Sequence, residues 1–412
     1  MQIATLMSGS LAAQVIMFAA MPIITRLYSA DEFGMYSLFF SIISIVGVVS
    51  SWKYDLAIML PKSDRDAQAL VFLSIGITTV MTAISIIVVY LLYDFLITYF
   101  TGAPYIIWLI PLGIGITGFF QIFNAYSSRQ QFYKKIATVK VSNSLLTAAV
   151  QGFSKFMFKF DGLVLGKIFA DMVSVLLLLN QHVKRQTLQL KSLSRRRLIV
   201  NAKRHDHFPR YQSFTVFLNA ISQNLPVLLL AYFYSAEIAG FYALTVRILQ
   251  APIVLIGSST REVYYQKASK MYAEGKNIFD LYLKTTKGLV KLFILPLIIV
   301  GLTGEALFGF IFGASWEASG VFAQILILWF FFLFINTPSI ITYSILKLQK
   351  VQLKIEIVSL VLRFLAIYLG FYFFDSYLVS VTLFSISSIL INIYAISFIY
   401  FKLHYKKEVS CQ

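Results

Sequence analysis

The stretch YSADEFGMYSLFFSI (Tyr28–Ile42) returns, altered but legible, as YSAEIAGFYALTVRI (Tyr234–Ile248) in a chain of 412 residues. Tyr28, Ser29, Ala30, Asp31, Gly34, Tyr36, Leu38 and Ile42 meet Tyr234, Ser235, Ala236, Glu237, Gly240, Tyr242, Leu244 and Ile248 at one constant offset, half the length of the chain. With a shift of two, SSWKYD from Ser50 also aligns with SSTREV from Ser258, which sets Lys53 opposite Arg261. The chain therefore reads as a duplication, and each copy bridges the short polar break between two long apolar runs.

Those runs decide the class. Hydrophobic residues make up 58% of the sequence and charged residues 13%, with a mean hydropathy of +0.78, against about 25% charged residues in soluble domains. Runs of about 20 apolar residues match the length a helix needs to cross hydrocarbon. They are twice the length of a barrel strand and lack its alternation, which excludes an outer-membrane barrel. The first run has no basic leader and carries Pro22 and Arg26, so it reads as a spanning helix rather than a cleaved signal. The single cysteine, Cys411, permits no disulfide, and the four histidines show no ligand spacing. No cofactor is expected; a proton or sodium gradient is left open as an energy source.

The expected fold is all-α, with twelve transmembrane helices near residues 3–25, 35–56, 67–93, 105–124, 138–158, 162–180, 213–233, 240–260, 287–303, 320–342, 355–374 and 377–400. Most of the 35 Lys and Arg residues lie in loops after even-numbered spans and in the tail, so the positive-inside rule places both termini in the cytoplasm. A basic cytoplasmic linker, 182–212, separates a six-helix lobe at 1–181 from another at 213–403, leaving a tail at 404–412. This linker is expected to set topology and to attract anionic lipid; nucleic acid is not an expected partner. Parallel duplication implies a pseudo-two-fold axis along the membrane normal and a transporter with a site between its lobes.

There is no phosphate-cradling glycine loop, no nucleophile elbow and no outer loop large enough for an active site, the longest being near Asp94 to Pro104 and Gly304 to Gly320. Polar stripes do occur at helical spacing: Ser37, Ser41, Ser44, Ser51 and Asp55; Lys140, Ser144, Thr147, Gln151 and Lys155; Gln212, Thr215, Asn219 and Gln223. Such faces avoid lipid and serve either packing or a cavity. Lys167 and Asp171, at i and i+4, are expected to pair. A cation at membrane depth requires a partner or water, which makes Arg247 and Arg363 cavity candidates, with Glu356 as a possible partner for Arg363. Lys53 and Arg261 occupy matching inner helix ends, while Arg26, Lys155 and Lys159 place positive charge on the outer side. Cations with hydroxyls and amides suit an anionic, sugar-bearing substrate. The candidate site set is Arg247, Arg26, Lys53, Arg261, Arg363, Lys155, Gln151, Asn219 and Gln223. In the repeat, Gly34 and Gly240 are expected to permit a turn or close approach, and Asp31 and Glu237 to cap the helices that follow.

PIITRLYSADEFGMYSLFFSIISI (Pro22–Ile45), KYDLAIMLPKSDRDAQAL (Lys53–Leu70) and GFYALTVRILQAPIVLIGSSTREVYYQKAS (Gly240–Ser269) resemble the Wzx-type polysaccharide-export flippases of the multidrug/oligosaccharidyl-lipid/polysaccharide exporter superfamily. The resemblance implies two six-helix lobes in a V around a central cavity. It also implies flipping of undecaprenyl-diphosphate-linked oligosaccharide, an O-antigen, capsule or exopolysaccharide unit, from the inner to the outer leaflet of the bacterial inner membrane by alternating access. Membrane lipids, and the polysaccharide polymerase with its chain-length machinery, are the further partners it implies. Arg26, Lys53 and Arg247 lie within the matching motifs. The rival readings are a multidrug or cation antiporter of the same superfamily, which would want an acid in the first span, and a membrane glycosyltransferase or polymerase, which would want a large outer loop.

Overall fold

A computed structural model describes residues 2–100, 102–157, 162–188 and 194–411, and within them all side chains except those of 2–4, 255, 258, 259 and 406–411. Lys159 thus lies outside the described residues, as do the side chains of Ser258, Ser259 and Cys411. Among the described residues there is no strand. The helices are α1 (Gln2–Leu27), α2 (Ala30–Gly47), α3 (Tyr54–Ala57), α4 (Asp64–Leu91), α5 (Tyr93–Leu96), α6 (Leu109–Arg129), α7 (Tyr133–Met157), α8 (Gly162–Lys184), α9 (Arg195–Arg204), α10 (Ser213–Phe233), α11 (Ala236–Ala273), α12 (Phe279–Phe312), α13 (Glu317–Ile335), α14 (Thr337–Ile345), α15 (Gln349–Phe374) and α16 (Tyr377–Cys411).

A helix stands at each of the twelve expected spans, and 11 of them are long and apolar enough to cross a membrane. The exception is α7, where Lys140, Asn143, Thr147, Gln151 and Lys155 dilute the apolar residues. The protein is a multi-pass membrane protein whose least apolar long helix is the one with the richest polar stripe.

The chain divides into two compact units, Met1–Tyr232 and Phe233–Gln412. Four pairings recur between them, whereas the close packing of α1 on α7 has no equivalent in α10 and α15. In the first unit α6 packs on α2, α4 and α8, and α7 on α8; in the second α13 packs on α11, α12 and α16, and α15 on α16. The duplication read from Tyr28 and Tyr234 thus extends to packing.

At the repeat, the caps are serines rather than the acids. Ser29 accepts from the Glu32 amide while the Glu32 carboxylate accepts from the Ser29 amide, a complete capping box. Ser235 accepts from the Ile238 amide. Asp31 and Glu237 occupy the first helical turns, where a carboxylate meets the positive end of the helix dipole. Gly34 and Gly240 are both helical, so no turn is built on them. The tyrosines act as tethers: the Tyr28 hydroxyl donates to the Gln151 carbonyl at 2.7 Å and lies 3.3 Å from Ser154 Oγ, and the Tyr234 hydroxyl meets Ser380 Oγ at 2.8 Å. Each copy fastens its hairpin to the last helix pair of its half.

Two expected spans are interrupted. After α2 ends at Gly47, Trp52 and Lys53 take positive φ values of 49° and 57° before α3 begins. Ser50 Oγ donates to the Gly47 carbonyl and Ser51 Oγ to Asp55 Oδ1 at 2.6 Å. These local bonds compete with the helical ladder, so Ser51 and Asp55 do not continue the stripe of Ser37, Ser41 and Ser44. The second break is at Asn336, ahead of Pro338. The expected outer loop from Gly304 to Gly320 is largely helical: α12 runs to Phe312, Gly313 turns at φ 109°, and α13 starts at Glu317.

The α12–α13 hairpin is closed by backbone-to-backbone contact, since a Cβ on Gly320 would lie 2.3 Å from the Gly304 carbonyl oxygen. Gly320→Ala should therefore destabilise the protein by about 1–3 kcal/mol through overpacking, seen as a lowered unfolding temperature in detergent. Tyr28→Phe, which removes one buried hydrogen bond, should cost about 1 kcal/mol in the same measurement.

Candidate functional site

In the first unit α1 lies close on α7, because Gly9 faces Ala137 where a Cβ would come within 2.5 Å of the alanine methyl. Close approach brings the polar faces of α1, α2, α6, α7 and α8 around a cavity of about 470 Å³, lined among others by Ser10, Gln14, Ser44, Thr117, Lys140, Asn143, Ser144, Lys167 and Asp171. Aromatic Phe40 and Phe120 complete its wall.

Its charges are unevenly matched. Lys167 pairs with Asp171, as the i, i+4 spacing predicts, and Asn143 Nδ2 donates to Asp171 Oδ1 at 2.8 Å and to Ser174 Oγ at 2.9 Å. Lys140 Nζ donates to Ser10 Oγ at 3.0 Å, and among the described residues no carboxylate pairs with it. Two ammonium groups therefore face the cavity against one carboxylate. Such a site can hold an anion: an ammonium supplies the charge, and hydroxyls and amides supply directed hydrogen bonds.

The candidates drawn from sequence lie in different surroundings. Lys53 is buried and bonded within the protein, to Asp55 at 3.4 Å and to Gln121 Oε1 at 3.1 Å, while Gln121 Nε2 donates to the Gly47 carbonyl; this set closes the break between α2 and α3 against α6. Lys155 forms an ion pair of 2.5 Å with the capping-box acid Glu32 and lies 4.8 Å over the Tyr28 ring. Gln151 donates to the Leu163 carbonyl and accepts from Tyr28. Arg26 is exposed in the last turn of α1. On α10, Asn219 and Gln223 are exposed.

In the second unit Arg247 is half-buried on α11 at the repeat position held in the first copy by the buried Ser41, and Arg261 is exposed farther along the same helix. Arg363 Nε donates to Ser388 Oγ at 3.3 Å, with its guanidinium 5.9 Å from the Trp329 ring and 5.8 Å from Phe384; Glu356 is exposed. The cavity thus gathers residues that the candidate set omits, chiefly Lys140, Asn143 and Asp171. A signal for them was present: Ser10 and Gln14 share a face of α1, as Lys140, Asn143 and Ser144 do on α7.

A second cavity in the first unit, about 620 Å³, is lined almost wholly by aliphatic and aromatic side chains such as Ile42, Ile84, Val88, Phe95 and Leu228. It offers nothing to recognise an anion.

The Glu32–Lys155 pair ties the repeat hairpin to α7 with Glu32 only 9% exposed. Lys155→Ala, leaving that buried carboxylate without its cation and with only the Ser29 amide, should cost about 2 kcal/mol. Lys155→Ala combined with Glu32→Ala should cost less than the sum of the single changes, a coupling that a double-mutant cycle of thermal unfolding detects.

The fold is shared with solved transporters. An inward-facing multidrug resistance MATE family transporter of the MOP superfamily matches with a TM-score of 0.75 at 13% identity, over 96% of each chain. The lipid II flippase MurJ in an inward closed conformation matches with a TM-score of 0.71 at 13% identity, over 96% of this chain and 87% of that one. A MOP superfamily transporter from Pyrococcus furiosus, described by a reverse polarity of its binding pocket, matches with a TM-score of 0.64 at 13% identity, over 98% and 96%. No curated protein matches by sequence. The profile of the family described as polysaccharide biosynthesis protein matches residues 23–321. With most of its length inside that match, the chain belongs to the polysaccharide biosynthesis protein family.

Proposed function

We propose that this chain is a flippase that carries an undecaprenyl-diphosphate-linked oligosaccharide from the inner to the outer leaflet of the bacterial cytoplasmic membrane by alternating access. The observation that carries the reading is Lys140, a half-buried cation on α7 that bonds a serine hydroxyl and faces a cavity where ammonium groups outnumber carboxylates. Holding an ammonium in low dielectric without a carboxylate is costly unless an anion visits it. A diphosphate is such an anion, and the hydroxyls and amides around it suit sugar. Membership of the polysaccharide biosynthesis family and a fold shared with a lipid II flippase support the same class.

On this reading Lys140 and Lys167 meet the diphosphate and the polyprenyl tail stays in hydrocarbon; Arg247, in the second unit, is a separate cation that export is expected to need. Glycan repeat units of O-antigen, capsule or exopolysaccharide type are the cargo class, and the polymerase with its chain-length machinery would receive the product. Coupling to a proton or sodium gradient would need a carboxylate in the site, and Asp171 is the one that lines this cavity. Asp171 also favours a second reading, a multidrug or cation antiporter of the same fold; its ion pair with Lys167 and the hydrogen bond from Asn143 weigh against it.

In a strain that depends on this protein for surface glycan, deletion should abolish surface polysaccharide and leave lipid-linked intermediates on the inner leaflet. Lys140→Glu should reduce export at least tenfold, and Arg247→Glu should reduce it as well, with protein levels unchanged. Undiminished export from both would reject the cationic site. Normal polysaccharide with altered drug sensitivity on deletion would select the antiporter.

A further inference from the structure

The segment 182–212, expected as a basic linker that attracts anionic lipid, lies within the first unit and contains a helix with an organised surface. One side of α9 is docked: Asn201 is buried and donates to Asp66 Oδ1 at 3.3 Å, and the Tyr54 hydroxyl donates to the Ala202 carbonyl at 3.1 Å. Asp66 stands in the first turn of α4, whose spanning segment begins at Asp64. That attachment fixes α9 at the edge of the membrane, because the helix it holds enters hydrocarbon within a few residues.

The opposite side of α9 is arranged for that boundary. Ile199 and Val200 are 47% and 45% exposed, and Arg195, Arg196, Lys203 and Arg204 are exposed around them. Each apolar residue has a cation one helical turn before it and one after: Arg195, Ile199, Lys203 and Arg196, Val200, Arg204 follow i, i+4 rows. No ion pair or hydrogen bond within the described residues occupies these four side chains. Two apolar residues between rows of unpaired cations form the face of a helix that lies in a headgroup layer, with the apolar side chains below the phosphates and the cations among them.

We infer that α9 is a binding surface for anionic phospholipid headgroups on its side of the membrane, independent of what the protein transports. The occupant is assigned by charge complementarity together with proximity: four uncompensated cations sit beside a span, and the leaflet is the anionic surface there. Each cation adds about fivefold to attraction to an anionic leaflet.

The full chain, with Cys411→Ser and Val200→Cys carrying a spin label, is reconstituted into vesicles of phosphatidylcholine alone or with phosphatidylglycerol. The ratio of label accessibility to dissolved oxygen over a water-soluble nickel chelate should rise severalfold with phosphatidylglycerol and fall back at high salt. Arg195→Gln, Arg196→Gln, Lys203→Gln and Arg204→Gln together should abolish the rise; all four are exposed, and an unchanged unfolding temperature certifies the fold. An equal ratio in both vesicle types overturns the inference, as does a rise that survives the fourfold substitution. Inorganic phosphate added to phosphatidylcholine vesicles should leave the ratio unchanged; if it reproduces the rise, the site takes free phosphate and the headgroup assignment is wrong.

Discussion

Polar and charged side chains placed at membrane depth must find partners inside the protein, and the rest of the first unit is organised around that requirement. Helix α7 carries the heaviest load, with Lys140, Asn143, Gln151 and Lys155 on one long stripe. Helices α1 and α8 pack against it along its length. Four of its polar groups each meet a specific neighbour: Lys140 meets Ser10, Asn143 meets Asp171, Gln151 meets the Leu163 carbonyl, and Lys155 meets Glu32. In hydrocarbon no water offers an alternative bond, so each partnership fixes a helix orientation.

The two halves solve the same assembly problem with different chemistry. Both use a serine cap and a tyrosine hydroxyl fastened to the last helix pair. Only the first adds an acid at the third helical position, Glu32, where the second has Ile238, and so only the first gains the Lys155 ion pair. The difference engages Lys155, which by sequence alone reads as a substrate contact, and leaves Lys140 without a carboxylate partner among the described residues.

Much of the fold was legible because apolar length and helical spacing are local properties. The all-helical class and the pairing of Lys167 with Asp171 follow from residues within one run of sequence, and the duplication from comparing two such runs. The interrupted second span was less so: Ser50, Ser51, Lys53 and Asp55 read as a polar continuation of a helix, whereas their bonds to Gly47, Gln121 and one another end it. The acids of the repeat were legible as first-turn residues, yet the capping bonds fell to the serines two positions earlier, whose shorter side chains reach the free amides.

Sequence by itself determined that this protein is a bundle of membrane helices made of two related halves, since hydrophobic length and repetition need no partner to be read. Tertiary structure decided which of the cations other than Lys167 are already answered. Lys53, Lys155 and Lys167 are neutralised by carboxylates, two of them on the same local segment and one 123 residues away. Lys140 is distinguished because the helices packed around it give it a serine to bond while the acid of the same cavity, Asp171, pairs with Lys167, and the energy of a charge is set by what surrounds it.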